Sequence, residues 1–89
     1  MNNKALELSA ETTMTSLEIA ELTGKRHDRV LRDIEAMLSK LEIGRSRFED
    51  FYVSKQNKRL PMYTLGHQLT VVLVTGYSVK MNQAIIDRW

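Results

Sequence analysis

The stretch TGKRHDRVLRDI, residues 23–34, places Lys25, Arg26, Arg29 and Arg32 within eight positions, with His27 among them. Guanidinium groups donate in pairs to phosphate oxygens, to the guanine edge and to carboxylates. The chemistry on offer is therefore recognition of an anionic or acceptor-rich partner. A second basic group follows at Lys55, Lys58 and Arg59, inside the run KQNKR. The competing reading of the first group is a solvated helix face, in which Asp28 and Asp33 neutralise the bases locally. For His27, at a helix start, the competing role is a cap or a packing contact.

Catalytic inventories are not met. The chain has no cysteine and only two histidines, His27 and His67. It has no glycine-rich phosphate loop and no His/Asp/Glu set at metal-ligand spacing. We expect no catalytic residue, no metal site and no cofactor, and read the chain as a binding protein.

These residues need elements to hold them. Eighty-nine residues make one small domain. The hydrophobic share of 43% and charged share of 27% are those of a soluble globular chain. The longest apolar run is four residues, Val71–Val74, so no membrane span and no membrane partner is expected. The absence of cysteine suits a reducing cytoplasm. Net charge is only +2, but its distribution is uneven. Residues 25–32 carry four bases against Asp28, and residues 44–64 five bases against Glu49 and Asp50. Acidic segments separate these two patches.

Thr15-Ser16-Leu17-Glu18 has the pattern of a capping box, and Gly24 supplies a stop, so a short first helix is expected between them. Val30, Leu31, Ile34, Met37, Leu38 and Leu41 then recur at helical spacing, with Lys25, Asp28, Arg29 and Arg32 on the opposite side. Gly44 is expected to close this second helix. Phe48–Ser54 and Leu60–Leu65 read as a β-hairpin with Lys55, Lys58 and Arg59 at its tip. Pro61 must lie at a sheet edge or face its nitrogen outward. ALELS, residues 5–9, reads as a third strand, followed by a connector. Leu69–Thr75 reads as strand by composition and as helix by position. Ser78 can cap a last helix with Met81, Ile85 and Trp89 at successive turns.

The expected fold is α+β: a small winged helix-turn-helix-like domain with a hairpin wing and C-terminal helices. Residues 1–13 form an N-terminal arm and 14–89 the domain. The end of the sequence inside a helical pattern points to the N-terminal part of a longer protein. Tyr77, Met81, Ile85 and Trp89 are candidates for an oligomer or partner surface, because so small a domain has few layers in which to bury them. Their competing role is core.

MTSLEIAELTGKRHDRVLRDI, followed by LPMYTL and GYSVK…IIDRW, resembles the phage regulatory protein Rha family over residues 14–89. It is similar in particular to the N-terminal domain of temperate-phage antirepressors. The resemblance implies a winged-helix-like fold, helix at Leu69–Thr75, and a role in the lysogenic-to-lytic switch inside the bacterial host cell. The family commonly has a basic residue where Leu17 stands and asparagine where Arg29 stands. Its third helix usually begins polar-aspartate-glycine, where this chain has Gly66-His67-Gln68. Two functions follow. As an antirepressor, the chain binds the phage repressor protein and forms homo-oligomers. As a transcription regulator, it binds double-stranded DNA, with Arg26, Arg29 and Arg32 in the major groove and the wing on phosphates.

Overall fold

Thr15 decides where the first helix begins. Its hydroxyl accepts from the Glu18 amide at 3.1 Å, and the Glu18 carboxylate accepts from the Thr15 amide at 2.9 Å. This reciprocal box opens α1, Ser16–Thr23. Gly24 ends it with φ at 78°, a conformation glycine adopts without a Cβ clash. The computed structural model describes residues 13–89.

Helix α2, His27–Lys40, buries Val30, Ile34 and Leu38. The flanking Leu31 and Met37 are partly buried, and Leu41 lies outside the core. The helix stops before Gly44, contrary to expectation. Glu42 takes the left-handed turn with φ at 58°, and the Ile43 amide donates back to the Leu38 carbonyl at 2.9 Å. Packing of Ile43 against the core drives this closure. Gly44 instead precedes a 3-10 turn at Arg45–Arg47.

The hairpin forms where expected. Strand β2, Glu49–Val53, pairs antiparallel with β3, Arg59–Gly66, in a register that sets Phe51 opposite Pro61. The Thr64 amide donates to Phe48 and the Ser54 amide to Lys58, at 2.9 and 2.8 Å. Alternation between these bonds points the Pro61 nitrogen away from β2, so no ladder bond is lost. The third strand is Thr13–Thr15, β1, paired with Thr64–Gly66 in the sheet order β1-β3-β2. In the sequence Thr13 and Met14 belong to the connector pattern and Thr15 to the capping box. The segment is a strand because β3 extends past the hairpin and because Met14 has a core site to fill. The expected strand at residues 5–9 lies outside the described residues.

Leu69–Thr75 resolves as helix: α3 runs His67–Val74 and buries Thr70, Leu73 and Val74. The Thr70 hydroxyl donates to the Gly66 carbonyl at 2.8 Å, which satisfies a buried polar group inside the helix. Helix α4, Val79–Arg88, starts at Ser78, whose hydroxyl accepts from the Met81 amide at 3.2 Å. The described residues form an α+β domain of four α-helices and a three-stranded antiparallel sheet. Ile19, Val30, Ile34, Leu65, Val74 and Ile85 anchor one core between them. Among the described residues no helix is long and apolar enough to cross a membrane.

Candidate functional site

Several polar contacts meet at the start of α2. Lys25 pairs with Asp33 at 3.3 Å and sits 4.4 Å above the Tyr77 ring centroid. The Tyr77 hydroxyl donates to the same Asp33 carboxylate at 2.9 Å. Burial, then that carboxylate, raise the Tyr77 hydroxyl far above its ordinary pKa. Arg26 pairs with Asp28 at 3.3 Å on the surface.

His27 is turned inward. Its Nε2 lies 2.8 Å from the Ser16 hydroxyl, which also accepts from the Tyr63 amide at 3.0 Å. Ser16 is fully buried, and its hydroxyl joins α1, α2 and β3. The ring edge also meets Tyr52 of β2, with centroids 5.8 Å apart. Burial pushes the His27 pKa below 6.5, with Asp28 partly opposing.

Of the five candidates at this junction, three are therefore engaged within the fold. Arg29 and Arg32 are exposed on the outer face of α2 and have no ion-pair partner among the described residues. Lys55 and Lys58 are likewise exposed at the hairpin tip. Arg59 lies over the Phe51 ring, 3.6 Å from its centroid.

The C-terminal set divides differently. Ile85 is fully buried and belongs to the core, so its place in a partner surface is corrected. Met81 and Tyr77 are partly buried. Trp89 stands edge-on to His67 at 4.6 Å and keeps 38% of its surface open. The most open apolar side chains of α4 are Val79 and Ile86, which were not among the candidates.

One surface went unread in the sequence. A trough of about 410 Å³ runs between α2 and the hairpin. Its lining includes the charged residues Glu35, Glu49, Asp50 and Arg59. Leu31, Phe51, Pro61 and Met62 add apolar surface. Glu35 accepts from the Tyr63 hydroxyl at 3.0 Å and pairs with Arg45 at 3.4 Å. Asp50 accepts from the Thr64 hydroxyl at 3.1 Å and from the Phe51 amide at 2.8 Å. Glu49 has no ion-pair partner among the described residues. Burial and then Glu35 raise the Tyr63 hydroxyl above its ordinary pKa. Among the described residues no three His, Cys, Asp or Glu side chains gather as a metal site.

A model of the phage regulatory protein Rha family matches residues 14–89. The chain belongs to the phage regulatory protein Rha family. It is also 33% identical over 69 residues to an uncharacterised protein of Haemophilus influenzae, a match covering 73% of this chain. The chain spans 40% of the length of that curated relative. No solved structure matches it. In this Rha-family chain, Arg29 stands on the open side of α2. Leu17 is half-buried in α1, and Gly66 caps α3 with His67 as its first residue.

Proposed function

We propose that this Rha-family chain is an antirepressor: it binds the phage repressor protein directly and releases it from its operator, favouring lytic growth. The reading takes α1, the Gly24 turn and α2 as a helix-turn-helix, with the β2–β3 hairpin as its wing. The observation that carries it is the charge between helix and wing. Glu35, Glu49 and Asp50 border that trough with Arg59, and Arg45 pairs with Glu35. Phosphates running from α2 to the hairpin would meet like charge, whereas a protein surface with basic and apolar groups would not. The pairing of Lys25 with Asp33 supports the same reading, because it removes a cation from the contact face, and His27 is turned inward toward Ser16. Uncovered Val79 and Ile86 on α4 favour association between copies, which would bury them symmetrically. The site of action is the cytoplasm of the bacterial host cell, where repressor and operator meet.

A sequence-specific DNA-binding regulator is the second reading. Arg29 and Arg32 on the helix and Lys55 and Lys58 on the wing favour it, as four exposed bases without an ion pair among the described residues. The deciding test titrates the chain into the phage's own repressor bound to labelled operator, with the chain on bare operator as control, at about 150 mM salt. The antirepressor reading expects the repressor to leave while the chain alone shifts nothing. A shift of bare operator by the chain, with the repressor still in place, would establish the DNA-binding reading instead.

A further inference from the structure

We infer that the outer face of α4 is a self-association surface: a second copy of this chain packs its own α4 there in the antiparallel sense, with Lys80 of each copy against the partner's Asp87. The inference rests on the association between copies proposed above and supplies its direction and its contacts.

The inner side of α4 is engaged by the fold. The helix packs on α1 and α3. Ile85 is fully buried, and Met81 and Ala84 are half-buried beside it. The Asn82 side-chain amide donates to the Val74 carbonyl at 3.2 Å, and Arg88 pairs with Glu18 of α1 at 3.1 Å. The outer side carries Val79, Lys80, Gln83, Ile86 and Asp87, all exposed. At the helical turn of about 100° per residue, Val79, Gln83 and Ile86 fall within an arc of about 60°, and Lys80 and Asp87 stand together on one flank of it. Val79 leaves 86% of its surface open and Ile86 49%. Covering them removes apolar surface from water.

Charge decides what covers them. Among the described residues neither Lys80 nor Asp87 has an ion-pair partner. Asp87 is oriented by the Gln83 side-chain amide, which donates to it at 2.8 Å. The two charges stand two turns apart, about 10 Å along the helix axis, so they cannot meet within one chain. A two-fold axis beside Gln83, perpendicular to the plane of two facing helices, reverses the order of the partner helix and keeps like flanks together. Lys80 then meets the partner's Asp87, and Val79 packs on the partner's Ile86, each contact occurring twice. The open charges and the open apolar groups both gain a complement from a copy of the same face. A parallel pair sets this flank against the opposite one, where neutral Asn82 stands, and leaves both charges unmatched. Antiparallel order also aligns the helix dipoles favourably.

The pair uses neither Arg29 and Arg32 on α2 nor Lys55 and Lys58 on the hairpin. A dimer therefore carries two such faces fixed about one axis, and a target with two matching sites is held by both at once. One helix against one helix is a small interface, so the dimer is weak and depends on concentration.

The test is sedimentation equilibrium of the 89-residue chain at low salt, from about 10 μM to about 1 mM. The variants are Ile86→Ser, Lys80→Asp, Asp87→Lys and the double charge exchange. All lie at exposed positions, and the exchange sets an acid at the start of α4 and a base at its end, the order that favours a helix. Thermal melting confirms that each folds. The wild type is expected to dimerise within this range. Ile86→Ser, Lys80→Asp and Asp87→Lys should each weaken the dimer about tenfold, because each alters two symmetric contacts. The double exchange should restore wild-type affinity, which requires that the two positions meet across the interface. The chain has no cysteine, so Gln83→Cys gives a second readout: mild oxidation should link two copies through position 83, while Lys55→Cys at the hairpin tip stays unlinked. A chain that is still monomeric at about 1 mM overturns the inference, as does a dimer indifferent to these variants or a double exchange as weak as the single ones. Protection of α4 by the repressor, in a chain that stays monomeric, overturns it too and gives the face to the repressor. The same variants enter the repressor titration. If the wild type pairs through α4 yet leaves the repressor on its operator, the antirepressor reading fails and the pair stands. If wild type and Ile86→Ser are both monomeric and displace the repressor alike, the pair fails and the antirepressor reading stands.

Discussion

The N-terminal end of α2 and the trough beside the hairpin make opposite use of their charge. At the helix start the bases look outward in the sequence, but several are spent on the fold. Lys25 bridges to Asp33 under Tyr77, and His27 shares Ser16 with the Tyr63 amide. At the trough the acids come from two distant segments, and their residues border one open surface. The difference teaches that a charge run marks an interaction site only after internal partners are subtracted. What remains open on the helix is Arg29 and Arg32. What remains open in the trough is Glu49, with apolar surface around it.

Removing Ser16 breaks the junction hardest. Ser16→Ala leaves the Tyr63 amide without its acceptor and His27 without its partner in a fully buried place. We expect a loss of about 1–3 kcal/mol, read as a fall in the urea midpoint. Tyr77→Phe is the next step down. Asp33 loses one donor but keeps Lys25, so the loss should be about 1 kcal/mol by the same measurement.

The His27 site adds a pH signature. Its pKa in the folded chain lies below the ordinary 6.5, so the unfolded chain takes up the proton first. The stability it contributes is fully present above that value. It is lost as pH falls through 6.5 toward the lower folded pKa. Urea midpoints at ~pH 7.5 and ~pH 5.5 should show the fall, and His27→Gln should flatten the part that this ring supplies. The smallest effect belongs to the open face of α2. Arg29→Ala and Arg32→Ala should each change stability by less than about 0.5 kcal/mol, because neither side chain has an ion-pair partner among the described residues.

Much of the fold was legible in the sequence because it is locally encoded. The Thr15–Glu18 box, the Gly24 stop, the Val30–Ile34–Leu38 stripe and the Ser78 cap each lie within one or two helical turns. The hairpin follows from alternating residues around a turn. The end of α2 at Lys40, with its left-handed turn at Glu42, was missed because it depends on Ile43 reaching the core. Strand β1 was missed because three residues carry almost no pattern and gain their pairing only from the far end of β3. The basic candidates were legible as residues but not as a site. Contacts such as Ser16 to Tyr63 or Asp33 to Tyr77 join positions more than forty apart, and no local spacing records them. The trough was hidden for the same reason. Glu35 faces it from a helix, Glu49 and Asp50 from a strand, and only the packing of β3 against α2 joins them.

The most direct measurement is hydrogen exchange on the chain alone, with the phage's repressor, and with operator DNA. Contact through the trough predicts that the repressor slows exchange across Leu31–Glu35 and Glu49–Val53 while operator changes neither. Protection by operator across His27–Arg32 and Lys55–Lys58, with no effect of the repressor, would contradict it and return the site to the basic end of α2.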